Sequence, residues 1–438
     1  MLLSEPSIRW PVEVLPSEDS RIILATQGIR LWTAECGLLS NGDCLCLSCS
    51  DQTTAENLRA QSRVAFSIID PHSSRVIQGS GIARVSGKTD DGNVLVRLEP
   101  YRIGVGADQT FELRLNGWTR VTDAAPPPIS TFSFWYQAFR AVTLTLAGLS
   151  VLLGAAAAFA QGHFDPILLI LSLVGGLLAH AGANATADYF DFRNGVDLSR
   201  ALSSHLGALA RERVQPELIL MAAMACFSAT ALIGIILVQL VGWQLLLFGL
   251  VGLLGAFFYT GWPVSYKYRA MGELLLGILM GPTMVMGSYF LYTRGWDWGV
   301  FLLSVALGVL ISSVSLVNNL RDIPDDQAAG IRTLPMALGV AGTKKLYYAL
   351  ISAPYALAAA SVLVYPRFWP LAIVVASLPQ AITAIRVLRD TADDVQDIRQ
   401  QASKKPYPLY SIRLHLRFGT LAVVGLVLAG VIPLLLGR

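Results

Sequence analysis

Charge is scarce in this chain. Asp, Glu, Lys and Arg supply 14% of its 438 residues, where an ordinary soluble domain carries about 25%. With 54% hydrophobic residues and a mean hydropathy of +0.54, the chain falls outside the soluble class and among membrane proteins. A net charge of +3 is too small to build the basic face that nucleic acid requires, so nucleic acid is excluded as a partner. Cysteine is rare as well. Four of the five cysteines are Cys36, Cys44, Cys46 and Cys49, and the C-x-C-x-x-C spacing is one that metal sites use. In a strand, however, Cys44 and Cys46 share a face, and free cysteine is an ordinary small buried residue. A structural disulfide is disfavoured in a cytoplasmic compartment. No internal repeat stands out. Met1 to Arg21 is polar and proline-broken, so no signal peptide is expected and the first domain is expected to stay unexported.

What is present is unevenly placed. Residues 1–122 read as a soluble domain, 123–134 as a stiff linker around Pro126–Pro128, and 135–438 as membrane. The last part holds about nine apolar runs, at 137–160, 165–187, 215–240, 243–261, 272–293, 298–318, 344–364, 368–387 and 417–436. Each is near the ~20 residues that a helix needs to cross the hydrocarbon. The expected fold is therefore an all-α polytopic bundle of about nine transmembrane helices, preceded by a small mainly-β domain. Trp135 and Tyr136 sit where an interfacial aromatic belt belongs, with Arg140 just inside the first span.

In the first domain, alternating apolar stretches predict strands at Ile22–Ala25, Cys44–Ser48, Val64–Ile69, Val76–Val85 and Val94–Leu98, separated by turn-forming runs such as S-N-G-D and D-P-H-S-S. Ala55–Ala60 reads as a short helix. Ser50–Asp70, followed by G-S-G-I-A-R-V at Gly79–Val85, resembles the split barrel of pyridoxamine-phosphate-oxidase-type flavin-binding proteins. That resemblance implies an FMN site. Thr54 stands where such proteins commonly carry a lysine for the flavin phosphate, and a hydroxyl is a poorer partner for a dianion, which disfavours FMN and favours a contact or regulatory role.

The charge that remains is concentrated where an apolar chain holds it least easily. N-A-T-A-D-Y-F-D-F-R-N-G-V-D runs from Asn184 to Asp197, and N-N-L-R-D-I-P-D-D-Q-A-A-G-I-R-T-L from Asn318 to Leu334. A carboxylate at mid-bilayer costs about 2.5–3.5 kcal/mol on the insertion scale, so such clusters need compensation from cations and a polar cavity. Asn184, Asp188 and Asp191 are spaced by four and three, which puts them on one helical face, with Asp197 in the loop beyond Gly195. Asn318, Asp322 and Asp326 step by four, with Asp325 close by. Two carboxylate-rich helix ends suit hard, oxygen-seeking cations such as Mg²⁺, which bridge to a substrate diphosphate. Lys267, Arg269, Arg321 and Arg332 are available for the remaining phosphate charge. A lone aspartate pair in a helix is usually solvated or salt-bridged; two clusters at equivalent helix ends are not explained that way.

From about 135 to 438 the chain resembles the UbiA superfamily of intramembrane prenyltransferases, and within it the 1,4-dihydroxy-2-naphthoate polyprenyltransferases. Their first motif, N-x-x-N-D-Y-x-D-x-x-x-G-x-D, is matched at Asn184, Asp188, Tyr189, Asp191, Gly195 and Asp197. The second is matched at Asn318, Asn319, Arg321, Asp322, Asp326, Gly330, Thr333 and Leu334. P-V-S-Y-K-Y-R-A-M-G-E at Pro263–Glu273, and Gly281–Pro282, are similar too. Departures are Ala187 for the usual second Asn, Ile331 where Lys is common, and Ala141 after Arg140 where Arg-Pro is usual. The resemblance implies Mg²⁺ on Asp188, Asp191, Asp322 and Asp326, and diphosphate contacts from Lys267, Arg269, Arg321, Arg332 and Arg140. It also implies an aromatic acceptor in menaquinone synthesis, with Tyr189, Phe190, Tyr259 and Trp262 able to shelter the prenyl cation, although each of these also reads as interfacial packing. Other acceptors (4-hydroxybenzoate, homogentisate, a lipid alcohol), a cation-coupled transporter and a membrane-anchored flavoprotein are the competing readings.

Orientation follows from the cations. Arg193, Arg200, Lys267, Arg269, Arg321, Arg332, Lys344, Lys345, Arg386, Arg389, Lys404 and Lys405 fall in loops after the second, fourth, sixth and eighth runs, against Arg294, Arg367 and Arg438 on the other side. The positive-inside rule then puts both acidic clusters on the cytoplasmic face, and an odd number of spans puts the N-terminal domain there too. In intact cells a cysteine introduced near residue 436 is expected to be labelled by an impermeant reagent and one near residue 120 to be protected; external labelling near 120 would overturn this arrangement.

Overall fold

The computed structural model describes residues 21–26, 32–41, 45–49, 63–69, 76–88, 93–105, 109–114, 117–120, 131–193, 216–328, 331–391 and 407–435. The chain divides into two compact units, one of Met1–Ser130 with Asp191–Arg211, the other of Thr131–Phe190 with Glu212–Arg438.

Among its described residues the first unit carries eight strands: β1 (Arg21–Thr26), β2 (Trp32–Asn41), β3 (Leu45–Cys49), β4 (Arg63–Ile69), β5 (Val76–Lys88), β6 (Val94–Val105), β7 (Gln109–Arg114) and β8 (Gly117–Arg120). They pair in the order β3-β2-β1-β4-β5-β6-β7-β8, and β3 also pairs with β6, so six of them close into a ring. Val94, Val96 and Leu98 are buried at alternate positions along β6, the period of two that turns one strand face inward. Cys36 stands opposite Cys49 across β2 and β3. The short helix expected at Ala55–Ala60, together with Cys44 and Thr54, lies outside the described residues.

The second unit is helical. It comprises α1 (Thr131–Ala138), α2 (Ala141–Ala160), α3 (Pro166–Arg193), α4 (Pro216–Val241), α5 (Leu245–Phe258), α6 (Gly272–Ile278), a π-helical turn (Leu279–Thr283), α7 (Met284–Thr293), α8 (Trp298–Arg321), α9 (Ile323–Ala328), α10 (Leu334–Val364), a 3₁₀ run (Pro366–Ser377), α11 (Leu378–Arg389) and α12 (Tyr407–Leu435). The last three residues of α3, Asp191–Arg193, fall with the first unit. Among the described residues eight helical stretches are long and apolar enough to cross a membrane, where about nine were expected. The difference is the run at 243–261. It forms α5, whose 14 residues span about 21 Å, short of the ~30 Å hydrocarbon, before the chain turns at Gly261-Trp262-Pro263.

Burial separates inner from outer helices. In their apolar windows α8 is 78% buried and α2 67%, but α3 only 22% and α4 17%, so α8 and α2 form the centre and α3 and α4 present most of their surface outward. α2 and α8 run antiparallel. Gln161 at the end of α2 donates from Nε2 to Asp297 Oδ2 at 3.2 Å, and Asp297 caps the start of α8 by accepting from the Val300 N–H at 2.9 Å. With α2 about 30 Å long and α8 about 36 Å, Arg140 and Asp322 must both lie at the opposite end. A cluster of Leu146, Met280 and Ile311 beneath that end agrees.

The π turn contains Pro282; its wider backbone takes the proline where a regular helix would lose a hydrogen bond and clash. On α10, Gly339 adopts φ 67° and ψ 172°, a kink that a side chain would resist. α6 and α8 meet through glycine: a Cβ on Gly308 would stand 2.4 Å from the Gly277 carbonyl oxygen, and one on Gly281 2.5 Å from that of Ser304. Backbone cannot step aside as a side chain can. Gly308→Ala is therefore expected to cost about 1–3 kcal/mol and to lower the thermal midpoint of the detergent-purified protein. Gly249→Ala, with nothing within 4 Å of the new Cβ, is expected to leave it unchanged or slightly raised.

Candidate active site at one end of the bundle

The first acidic cluster ends α3. Asn184, Asp188 and Asp191 are all buried there, Asp191 completely, as their shared helical face requires. Asn184 donates from Nδ2 to the Phe139 carbonyl at 3.0 Å and to Thr143 Oγ1 at 3.2 Å, tying α3 to the break between α1 and α2. At that break Arg140 takes φ 47°, a left-handed conformation that costs a non-glycine residue about 1–2 kcal/mol. The turn carries its guanidinium to Asp188, whose Oδ1 accepts a hydrogen bond from Nη2. Tyr189 is buried and meets Phe190 edge to face at 5.1 Å. Asp197 lies outside the described residues.

The second cluster ends α8. Arg321 grips Asp322 with two hydrogen bonds, Nε to Oδ1 at 2.7 Å and Nη2 to Oδ2 at 3.0 Å. Asn318 is half-buried and accepts the Asp322 N–H on its carbonyl at 3.1 Å. Asp326, completely buried on α9, donates its N–H to the Asp322 carbonyl at 2.9 Å. Asn319 donates from Nδ2 to Glu273 Oε1 at 2.8 Å, and Ser312 from Oγ to the Glu273 carbonyl at 2.8 Å. The side chain of Asp325 is outside the described residues.

The cationic loop before α6 is stitched to the segment after the second cluster. Ala270 N–H donates to the Arg332 carbonyl at 2.9 Å and Arg332 N–H to the Tyr268 carbonyl at 3.4 Å, forming a parallel bridge between Arg269 and Arg332. Lys267 is buried, its Nζ 5.7 Å from the Tyr268 ring centroid, and its N–H donates to the Tyr259 carbonyl at 2.9 Å. Arg269 and Arg332 are exposed, and Arg269 Nη2 donates to the Pro263 carbonyl at 3.1 Å. Ile331, where a lysine was the expectation of the family pattern, packs inward. Trp262 is 77% exposed, outside the packed interior, whereas Tyr259 is half-buried beside Gly272.

One end of an apolar bundle thus holds four buried aspartates, with arginine hydrogen-bonded to Asp188 and to Asp322. Among the described residues no three His, Cys, Asp or Glu side chains gather as they stand into a site that could hold an ion. The donor set nevertheless fits Mg²⁺. That ion is bound through one or two carboxylates and completes its octahedron with water and substrate phosphates.

The sequence profile of the UbiA prenyltransferase family matches residues 147–405. The 1,4-dihydroxy-2-naphthoate octaprenyltransferase of Bacillus subtilis is 30% identical over 262 residues, 60% of this chain and 84% of that protein. That of Escherichia coli is 30% identical over 230 residues, 51% of this chain and 74% of that protein. The Homo sapiens UbiA prenyltransferase domain-containing protein 1 is 30% identical over 284 residues, 64% and 79%. Among solved structures, a UbiA homologue from Archaeoglobus fulgidus bound to GPP and Mg²⁺ aligns over 67% of this chain and 100% of its own, at 15% identity and a TM-score of 0.46.

The Glu273–Asn319 contact is one that the sequence does not announce, and it has a measurable consequence. Glu273→Ala leaves the buried Asn319 amide without its acceptor, an expected loss of about 1–3 kcal/mol. Glu273→Gln keeps an acceptor oxygen. The first variant should melt well below the second in detergent, and equal midpoints would show that the contact contributes nothing.

Proposed function

This chain belongs to the UbiA prenyltransferase family, and we propose that it transfers a polyprenyl group from an isoprenyl diphosphate to 1,4-dihydroxy-2-naphthoate in menaquinone biosynthesis. It is a prenyltransferase and a multi-pass membrane protein. The observation that carries the substrate reading is the pairing of buried aspartates with arginines at both clusters. Carboxylates and guanidinium groups are the two halves of a binding site for a metal–diphosphate. The named relatives support the acceptor.

Asp188, Asp191, Asp322 and Asp326 are the proposed metal ligands. When bound there, Mg²⁺ would supply Lewis-acid stabilisation of the departing diphosphate. Arg140 and Arg321 each hold one of these carboxylates. Both are placed to pass their hydrogen bonds to phosphate oxygens as the substrate arrives, joined by Lys267, Arg269 and Arg332. Such preorganised donors act on the charge that develops as the allylic C–O bond breaks and its electron pair leaves with the diphosphate. Tyr189 and Tyr259 line the prenyl side, and Asn184, Asn318 and Asp197 complete the proposed set. The naphthoate ring carbon then forms the new C–C bond, and its carboxylate departs as CO₂, returning its bonding pair to the ring.

Residues 1–122 are proposed as a split-barrel-like domain joined through residues 123–134 to the bundle 135–438, with the domain and the active site on the cytoplasmic side of the cell membrane. The six-strand ring supports the barrel.

Purified protein given Mg²⁺, polyprenyl diphosphate and a panel of acceptors is expected to convert dihydroxynaphthoate to a prenylated product that has lost CO₂, identified by mass. Asp188→Asn and Asp322→Asn should each lower turnover more than a hundredfold in a bundle that still folds, and chelator should do the same to the wild type. Preference for another acceptor would reassign the substrate, and no product with any acceptor would remove the substrate reading.

A further inference from the structure

Tyr407 opens α12 just beyond the stretch that matches the family profile. Its side chain is 1% exposed. A Cβ on Gly419 of α12 would stand 2.2 Å from Leu149 of α2 and 3.1 Å from Leu307 of α8, and one on Gly430 2.7 Å from Phe159 of α2. α12 therefore runs in the direction of α2 and against α8, and Tyr407 lies at the end of the bundle that holds Arg140, Arg321 and Asp322. Among the described residues its hydroxyl makes no hydrogen bond. A buried hydroxyl without a partner is rare in folded proteins and unfavourable. Arg321 binds both carboxylate oxygens of Asp322, and the Tyr407 hydroxyl makes no hydrogen bond to that carboxylate.

We propose that Tyr407 is a substrate-binding residue whose hydroxyl donates a hydrogen bond to a diphosphate oxygen of the prenyl donor, beside Arg321. The inference rests on the prenyl-transfer reading. Three features favour a phosphate oxygen as the partner. A phenol is a good donor to a charged acceptor. The neighbouring guanidinium already draws negative charge to this spot. The positive end of the α12 dipole starts at the same residue, which adds to the attraction for an anion. The leaving diphosphate gains charge as the C–O bond breaks, so the bond strengthens along the reaction.

Tyr407→Phe removes only the hydroxyl. The full-length variant, without ligands, should melt at or above the wild-type temperature, because no hydrogen bond is lost; a tyrosine that merely held the fold together would give a lower midpoint. Stabilisation by Mg²⁺ with inorganic pyrophosphate should shrink, with a dissociation constant raised roughly ten- to hundredfold. KM for the prenyl diphosphate should rise by a similar factor while KM for the aromatic acceptor stays put. Unchanged pyrophosphate binding in an active background overturns the assignment of Tyr407 alone, as does a shift confined to the acceptor KM. A wild-type protein that neither binds Mg²⁺–pyrophosphate nor transfers a prenyl group overturns the prenyl-transfer reading and this inference together.

Discussion

A carboxylate inside an apolar bundle has few allowed surroundings, and the architecture at the motif end follows from providing them. Removing one partner of a buried ion pair costs about 3–5 kcal/mol; here the side chains keep some exposure, 29% for Arg140 and 12% for Asp188, so the cost lies lower. It is still large beside the 1–2 kcal/mol of a left-handed residue. That comparison accounts for the break between α1 and α2: the strained turn at Arg140 delivers a guanidinium to Asp188. Arg321 does the same for Asp322 from the adjacent position, with no backbone strain. Asn184 then fixes α3 against the turn, and Glu273 fixes Asn319.

The two clusters were legible in the sequence because their logic is local. Helical spacing alone puts Asn184, Asp188 and Asp191 on one face, and the structure buries all three. The strands with clean alternation, β1, β3, β4, β5 and β6, were also readable. β2 was not, since its W-T-A-E-C-G-L-L-S-N run mixes both faces around Gly37 and bulges after Leu38. Short β7 and β8 carry too few residues to establish a period. Tyr407 and the Glu273–Asn319 contact depend on how distant helices pack, and no spacing encodes that.

Helix ends shifted for similar reasons. The expected span at 344–364 is preceded by helix from Val340 and, across the non-helical Gly339, by a short helical stretch from Leu334 directly after the second cluster; the glycine and the Lys344–Lys345 pair interrupt the apolar pattern there. Lys344 is buried and gives its Nζ to the Thr391 carbonyl at 2.7 Å. Ile331 illustrates the reverse case. Read as a lost cation, it is an apolar side chain packed inward while its neighbour Arg332 faces out.

The glycine contacts also divide the seams of the bundle by how readily they could part. Along α6–α8 the helices touch backbone to backbone, and a Cβ on Gly154 of α2 would stand 2.3 Å from the Val285 carbonyl of α7, so these seams have no width to lend and no rotamer that opens them. Between α3 and α4 the close neighbours of Gly182 and Gly175 are the side chains of Phe227 and Ile233. Those can swing aside, which makes the outward-facing α3–α4 flank the side of the bundle where the wall is hinged.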